Sequence, residues 1–487
     1  MRLRSAFLLQ VMSATVPALL FLISIPLVRA RLDLENFAGF TLMLSTVGLL
    51  TVLDGGLGRA STYFISLSLA RGGRRRAISV FHGVLLVGLS FSLVLGCLAA
   101  VAVQLAPGHA FQTARTALMI LVGFTPLFIA SSLLRGFLEA EQRFGSSSSL
   151  QLAHGTLIAS APALLFSVSN DLATFAWVIG FGRIALTLAF LFYAGLWNRK
   201  SWIVSRAIPA HAKRVFGYTK WLFLSNLIGL TIVFADRFVV ASFFSSAVVV
   251  AYVLPMEMIA RMQVLTTAFC TVLFPRLVAS AAAGTAAQSH RFVSDAQGAF
   301  MAATAVFGFA AALVSGPLMR WWLGEPLAIQ AARVLVVGIV GVGLIASAAL
   351  AMIELNSSGR TRPAALLHSA EMPIYILLLF AAAKFSSIEL LLITWIVRLS
   401  VDAIGMNFIA LRGARSADTT GTTSARVRSA AWAMVVVSLI CLLMLGLTSN
   451  SLSLPLHAAL AITGMGIAAI AGRHFIASVR LSKQISN

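Results

Sequence analysis

The sequence predicts an all-α polytopic membrane protein of about 14 transmembrane helices, and three observations carry that reading. Hydrophobic residues make up 59% of the 487 positions and charged residues only 10%, with a mean hydropathy of +0.95. A soluble chain of this length needs far more charge to cover its surface. About fourteen apolar stretches recur, each close to the roughly 20 residues that one crossing of the hydrocarbon core requires. With the N-terminus placed in the cytoplasm, the connecting segments alternate between rich and poor in Lys and Arg, the asymmetry that orients membrane helices.

The predicted spans are 7–28, 38–66, 77–104, 115–137, 147–169, 173–196, 217–243, 247–274, 298–319, 332–355, 364–383, 387–410, 429–448 and 454–474. Arg2 and Arg4 before the first apolar run look like the start of a signal peptide. The run is long, lacks a small-residue cleavage site before Arg29 and is followed by many more spans, so it reads as an uncleaved first span. The length of the second and third spans implies tilt or kinks. Pro17, Pro126, Pro162 and Pro255 interrupt spans, and proline frees carbonyls and bends helices. Polar stretches near 198–216 and 411–428 divide the chain into six, six and two spans. That gives an N-lobe over 1–200, a C-lobe over 201–412 and a helix pair over 413–487.

Of 36 Lys and Arg, six fall on the predicted outer side (Arg29, Arg31, Arg115, Arg320, Arg333 and Lys384) and five inside spans; the other 25 lie in inner segments. The rule of positive loops inside then puts both termini in the cytoplasm. The net charge of +21 is what such a topology produces, and no separate basic domain exists to bind nucleic acid. Trp197, Trp202, Trp221 and Trp432 fall near inner ends and Trp177, Trp321 and Trp322 near outer ends, at headgroup level, whereas Trp395 lies deeper and reads as a packing residue. Cys97, Cys270 and Cys441 sit in apolar stretches without CxxC or Cys/His spacing, so neither a disulfide framework nor a metal site is indicated.

Ionisable groups inside spans cost several kcal/mol unless paired or facing water. Glu257 with Arg261, and Arg398 with Asp402, are four apart and suited to intrahelical ion pairs. Each pair reads either as self-neutralised structure or as a cavity-facing site whose arginine exchanges its partner for an anion. Asp236 and Arg237 are adjacent, so they point about 100° apart and need partners on other helices. Asp54 and Arg59 are five apart and also off one face, and Arg183 has no acid near it in sequence. A guanidinium stays charged when desolvated and grips phosphate in a bidentate fork, so Arg59, Arg183, Arg237, Arg261 and Arg398 are the candidate anion-binding residues. Asp54, Asp236, Glu257 and Asp402 are their candidate charge or coupling partners. His82 and His154, near inner span ends, read as interhelical hydrogen-bonding groups or proton relays. Glu354 and Glu371 flank the Arg360/Arg362 turn and read as a local charge cluster. There is no P-loop, HExxH or GxSxG motif. An enzyme is therefore not expected, and any transport draws on gradients or substrate supply.

The stretch IPLVRARLDLENFAGFTLMLSTVGLLTVLDGGLGRASTYFIS resembles the opening signature of the polysaccharide-exporting flippases, through Arg29, Glu35, Phe37, Gly39, Phe40, Leu53, Asp54, Gly56, Leu57 and Gly58. Leu32 and Asp33 replace the usual Leu-Gly before the acid, and an Ala intervenes before Gly39. LRGFLEAEQRF (Leu134 to Phe144), the stretch from Trp221 through Asp236, Arg237 and Tyr252, FPRL at Phe274 and NSSGRTRPA at Asn356 extend the match over about residues 7–410. The chain thus resembles the lipid-linked oligosaccharide (O-antigen and exopolysaccharide) branch of the multidrug/oligosaccharidyl-lipid/polysaccharide superfamily. The resemblance implies two six-helix lobes around a central cavity, two extra helices that help admit a lipid tail, and alternating access. It also implies a cargo of undecaprenyl-pyrophosphate-linked sugar repeats, moved from the cytoplasmic to the periplasmic leaflet of a bacterial inner membrane. No cofactor is expected, and coupling to Na⁺ or H⁺ is left open. Expected partners are the lipid-linked oligosaccharide, membrane lipids, and the polymerase and glycosyltransferases of the same pathway. Competing readings are a cation-coupled drug or metabolite exporter, which would rely on Asp54, and a lipid II flippase. A membrane-embedded polymerase or ligase would need a large polar outer loop, and the outer loops here are at most about a dozen residues.

Overall fold

The computed structural model describes residues 3–53, 57–166, 169–197, 208–282, 286–357, 362–414, 432, 436, 440–441 and 460–473. Within these ranges some side chains, Arg59 among them, are not described. Asp54 and most of the two last predicted spans lie outside the described residues.

The described chain is helical: α1 (Leu3–Arg29), α2 (Leu34–Val52), α3 (Leu57–Leu105), α4 (His109–Gly123), α5 (Thr125–Ala140), α6 (Phe144–Leu165), α7 (Leu172–Tyr193), α8 (Ile208–Phe243), α9 (Ser246–Ala282), α10 (Ala286–Leu323), α11 (Glu325–Ser357), α12 (Arg362–Lys384) and α13 (Ile388–Ala414), followed by α14 (Leu460–Arg473). Among the described residues, six stretches are long and apolar enough to cross a membrane: α2, Gly73–Leu105, α7, His290–Leu323, α11 and α12. α4 and α5, bent by 43°, make a seventh. The predicted span 115–137 is that broken pair, with Pro126 opening α5. The predicted span 38–66 is corrected more strongly. α2 stops at Val52 and a new helix begins at Leu57; the interruption of that helix at Gly73, whose φ of 68° and ψ of −173° no helix tolerates, falls in the turn expected between spans 38–66 and 77–104.

The chain forms two compact units, Met1–Val249 and Val250–Asn487, so α8 belongs with the first. In that unit two acids start helices. Asp33 accepts a hydrogen bond from Asn36 N at 2.7 Å, and Asp171 accepts from Ala173 N and Thr174 N at 3.0 and 3.2 Å, each satisfying amides that no helical carbonyl can reach. α7 ends in the opposite way. Gly195 takes φ 64°, Leu196 N donates to Leu191 O and Gly195 N to Phe192 O, the double bond of a left-handed helix stop. Two arginines finish the cap: Arg74 donates to Ala194 O and Arg143 to Tyr193 O. Glu141 lies between them, 2.9 Å from Arg74 and 3.8 Å from Arg143. Arg74 and Arg143, both counted to the inner side in the sequence, thus close a helix end, where cations meet the negative pole of the helix dipole.

The resemblance motifs prove to be packing motifs. Arg29 lies over the ring of Phe37, 5.7 Å from its centroid. Phe40 meets Phe166 edge-on at 5.5 Å and Phe175 at 5.4 Å. The LGRAST start of α3 lies on the LRGF turn of α5, where Ser61 Oγ donates to Leu133 O at 3.0 Å and Thr62 Oγ1 to Gly136 O at 3.1 Å. In the second unit α11 is the most enclosed helix, packed by α10 and α13. Trp395 packs against Gly341 there, filling the space a side chain would take.

Candidate functional site

Among the described residues, each unit holds charged side chains in its interior. In the first unit Arg183, on α7, is buried at 6% exposure. Its Nη1 donates to Ser131 Oγ at 3.2 Å and its guanidinium carbon sits 3.8 Å from the centre of the Phe128 ring, both partners being on α5. Among the described residues no carboxylate pairs with it, and its Nε has no hydrogen-bond partner. The ionisable neighbours it feels are His154 and Arg135, neither of them an acid. The desolvated cation is held by an aromatic face and one hydroxyl, which leaves it a donor still in want of an anion. Also buried in this unit are Asp236 and Arg237 on α8, with Arg237 4.7 Å over the Phe234 ring.

In the second unit the expected Arg398–Asp402 pair is present at 3.3 Å, but it is part of something larger. α12 brings Glu371 to 3.8 Å from Arg398 and His368 to 3.2 Å from Asp402. The ring of Tyr375 lies 5.9 Å from the guanidinium. Glu371 therefore faces Arg398 across two helices rather than clustering with Glu354 at the 360–362 turn; Glu354 instead meets His290 of α10 at 2.8 Å. One guanidinium between two carboxylates is already neutralised, so Arg398 is less disposed than Arg183 to receive a further anion. On α9, Glu257 is buried and Arg261 half-buried.

Beside this cluster the second unit holds a cavity of about 660 Å³. Its walls come from α10, α11 and α13, with Trp432, Val436 and Ile440 also lining it. Met301, Val340, Leu344, Ile396 and Phe408 make it largely apolar. One strip is polar: Gln297 Nε2 donates to Ser347 O at 2.9 Å and to Asn407 Oδ1 at 3.0 Å, while Asn407 Nδ2 donates to Ser347 Oγ at 3.0 Å and Ala403 O at 2.8 Å. Sequence reasoning passed over this strip, since Gln and Asn in spans carry no charge to draw notice. Their recurrence on helices that must pack together was the signal available.

No family model matches the chain. It is 23% identical over 415 residues to the "Putative O-antigen transporter" of Shigella flexneri, a match covering 82% of this chain and 95% of that one. The lipid II flippase MurJ in an inward closed conformation shares the fold with a TM-score of 0.67 at 14% identity, covering 97% of this chain and 99% of that one. A multidrug resistance MATE family transporter of the MOP superfamily, inward-facing, gives 0.61 at 13% identity over 84% of this chain and 97% of the other. These relatives are transporters and flippases rather than enzymes. The chain is a polytopic helical membrane protein with the fold of the transporters of the multidrug/oligosaccharidyl-lipid/polysaccharide superfamily.

Proposed function

We propose that this protein flips undecaprenyl-pyrophosphate-linked oligosaccharide repeats from the cytoplasmic to the periplasmic leaflet of a bacterial inner membrane, for O-antigen, exopolysaccharide or capsule synthesis, by alternating access. The observation that carries this reading is the sequence likeness along 95% of a relative named for O-antigen transport, and the geometry is compatible with it. Arg183, desolvated and unopposed by a described carboxylate, is the kind of donor that a pyrophosphate engages. The cavity beside Gln297 and Asn407 supplies apolar wall for a polyprenyl chain and amides for polar groups. Polymerase and glycosyltransferases of the same pathway are its proposed partners, and both termini lie in the cytoplasm in this reading.

The test is a deletion strain in which the leaflet location of the lipid-linked oligosaccharide is measured with and without the restored protein. Cytoplasmic accumulation relieved by restoration supports the proposal; unchanged distribution removes it. The Glu371–Arg398–Asp402–His368 cluster favours a second reading, a cation-coupled exporter, because two acids around one arginine can take up a proton. Changed sensitivity to cationic drugs with unchanged lipid distribution would favour that reading, or a role for Asp54. The MurJ-like fold keeps lipid II as the alternative cargo, which the same assay distinguishes by headgroup.

A further inference from the structure

α8 begins by crossing α3. Gly83 marks the crossing, since a Cβ there would stand 2.8 Å from His211 Cβ and 2.9 Å from Ala212 N. The crossing separates two unlike surfaces. On one side Arg76, Ser68 and His211 line a small cleft together with Phe64, Leu67, Val80 and Val215. On the other, Leu86, Val87, Phe91 and Val94 of α3 and Phe216 of α8 line an open groove of about 390 Å³. The rings of Phe91 and Phe216 stack there at 6.1 Å. Ser90, also in the groove, turns its hydroxyl back to Leu86 O at 2.9 Å, which leaves the wall apolar. Lys213 is the one charged residue among the described groove lining, and it is exposed.

A cleft that carries Arg76 and His211 on one side of the helix crossing, and an apolar groove with one lysine on the other, suit the level where headgroups meet acyl chains. A lysine at that level keeps its stem on apolar surface and its ammonium among phosphates. The local sequence is one-signed. Arg199, Lys200, Arg206, Lys213, Arg214 and Lys220 follow one another, and no Asp or Glu occurs between Asp171 and Asp236. Trp197 and Trp221 flank the segment in sequence, the residue type enriched at membrane interfaces.

We propose that this groove seats an anionic phospholipid of the surrounding bilayer, with an acyl chain between Leu86, Val94 and Phe216 and the phosphate at Lys213. The juxtamembrane charge and the apolar slot then act on the two ends of one molecule. An attraction spread over a basic surface would not need the slot.

The experiment uses the full chain purified in detergent, titrated with phosphatidylglycerol or phosphatidylcholine, with retained lipid counted by native mass spectrometry. Phosphatidylglycerol is expected to be retained several-fold over phosphatidylcholine, with Lys213→Gln weakening it roughly fivefold. Ser90→Trp, which fills the groove and leaves Lys213 in place, is expected to abolish the preference while the lipid-free melting temperature stays within a degree or two of the parent. Equal retention of the two lipids overturns the proposal. So does loss in Lys213→Gln with normal retention in Ser90→Trp, since that pattern is surface attraction without a seat.

Discussion

Gly136 of α5 lies so close to Gly58 of α3 that a methyl group on Gly136 would collide with the Gly58 carbonyl oxygen and stand 3.0 Å from Ser61 Cβ. The two glycines are 78 residues apart in the chain, and each belongs to a stretch that, in sequence, resembles the polysaccharide flippases. Their contact explains why small residues occur in both. Helices in lipid gain little from the hydrophobic effect between them and associate instead through close backbone approach and interhelical hydrogen bonds, here the Ser61 and Thr62 bonds to Leu133 O and Gly136 O.

Gly136→Ala is therefore expected to destabilise the first unit by about 1–3 kcal/mol, the usual cost of overpacking, and to lower the amount of protein in membranes. Gly229→Ala is the control. Apart from its chain neighbours and its own helix backbone, nothing lies within 4 Å of a Cβ at Gly229, in mid-α8, so that change should raise stability by about 0.5–1 kcal/mol through helix propensity. Thermal unfolding of the two variants in the same detergent checks both signs.

A second backbone prediction concerns Gln142, which holds φ 59°. Gln142 N donates to Glu139 O and Arg143 N to Leu138 O, so Gln142 occupies the left-handed stop position that Gly195 fills for α7. Gln142→Gly removes a left-handed strain of about 1 kcal/mol and should raise the melting temperature; a fall would show that the glutamine side chain contributes more than its backbone costs.

What was legible in the sequence divides along physical lines. The apolar stretches, the Arg398–Asp402 spacing and the depth of Trp395 depend on neighbours along one helix, and periodicity shows them. The break at Val52 and the grouping of α8 with the first unit depend on which helices meet, and hydropathy averages over them, whereas the interruption at Gly73 falls in the turn that hydropathy leaves between spans 38–66 and 77–104. The same distinction holds in the charged sites. Asp402 is visible from Arg398 four residues away, whereas Glu371 and His368 reach it only because α12 packs on α13. The bare surroundings of Arg183 were visible as an absence of nearby acids; the Phe128 face that holds it was not.

The four-residue cluster gives the third prediction. Arg398→Gln leaves Glu371 and Asp402, whose side chains are 6% and 9% exposed, without the cation between them. Breaking a buried ion pair from one side costs about 3–5 kcal/mol, so the variant should accumulate poorly. Adding Glu371→Gln to it removes one stranded acid and should recover much of the protein level. Quantifying single and double variants in membranes gives the coupling directly, and additive losses would show that Glu371 and Arg398 do not act on each other.

The cavity gives the fourth. Asn407 donates to both Ser347 and Ala403 and accepts from Gln297, so Asn407→Leu strands one donor bond of a buried amide and should cost about 1–3 kcal/mol. Ser400→Phe leaves that strip intact and fills the space beside it. It should reduce transport of the lipid-linked oligosaccharide at an unchanged protein level, and unchanged transport would separate this cavity from the cargo.

Arg183 supports the sharpest test, because its structural and functional roles predict opposite results. A guanidinium tied into an ion pair leaves a stranded carboxylate when it is removed. Arg183 leaves only the Phe128 ring and the Ser131 hydroxyl behind, and neither is charged. Arg183→Met keeps most of the volume and removes a desolvated charge, so the protein level should hold or rise. Transport should nevertheless fall by about tenfold to a hundredfold, the equivalent of one charged hydrogen-bonded contact of about 1.5–3 kcal/mol. Arg183→Lys, which keeps the charge and loses the planar fork, should fall between the two. Leaflet assays on membranes matched for protein content read all three. Full transport by Arg183→Met would assign the arginine to packing and move the search for the anion-binding residue to Arg237 and Arg261.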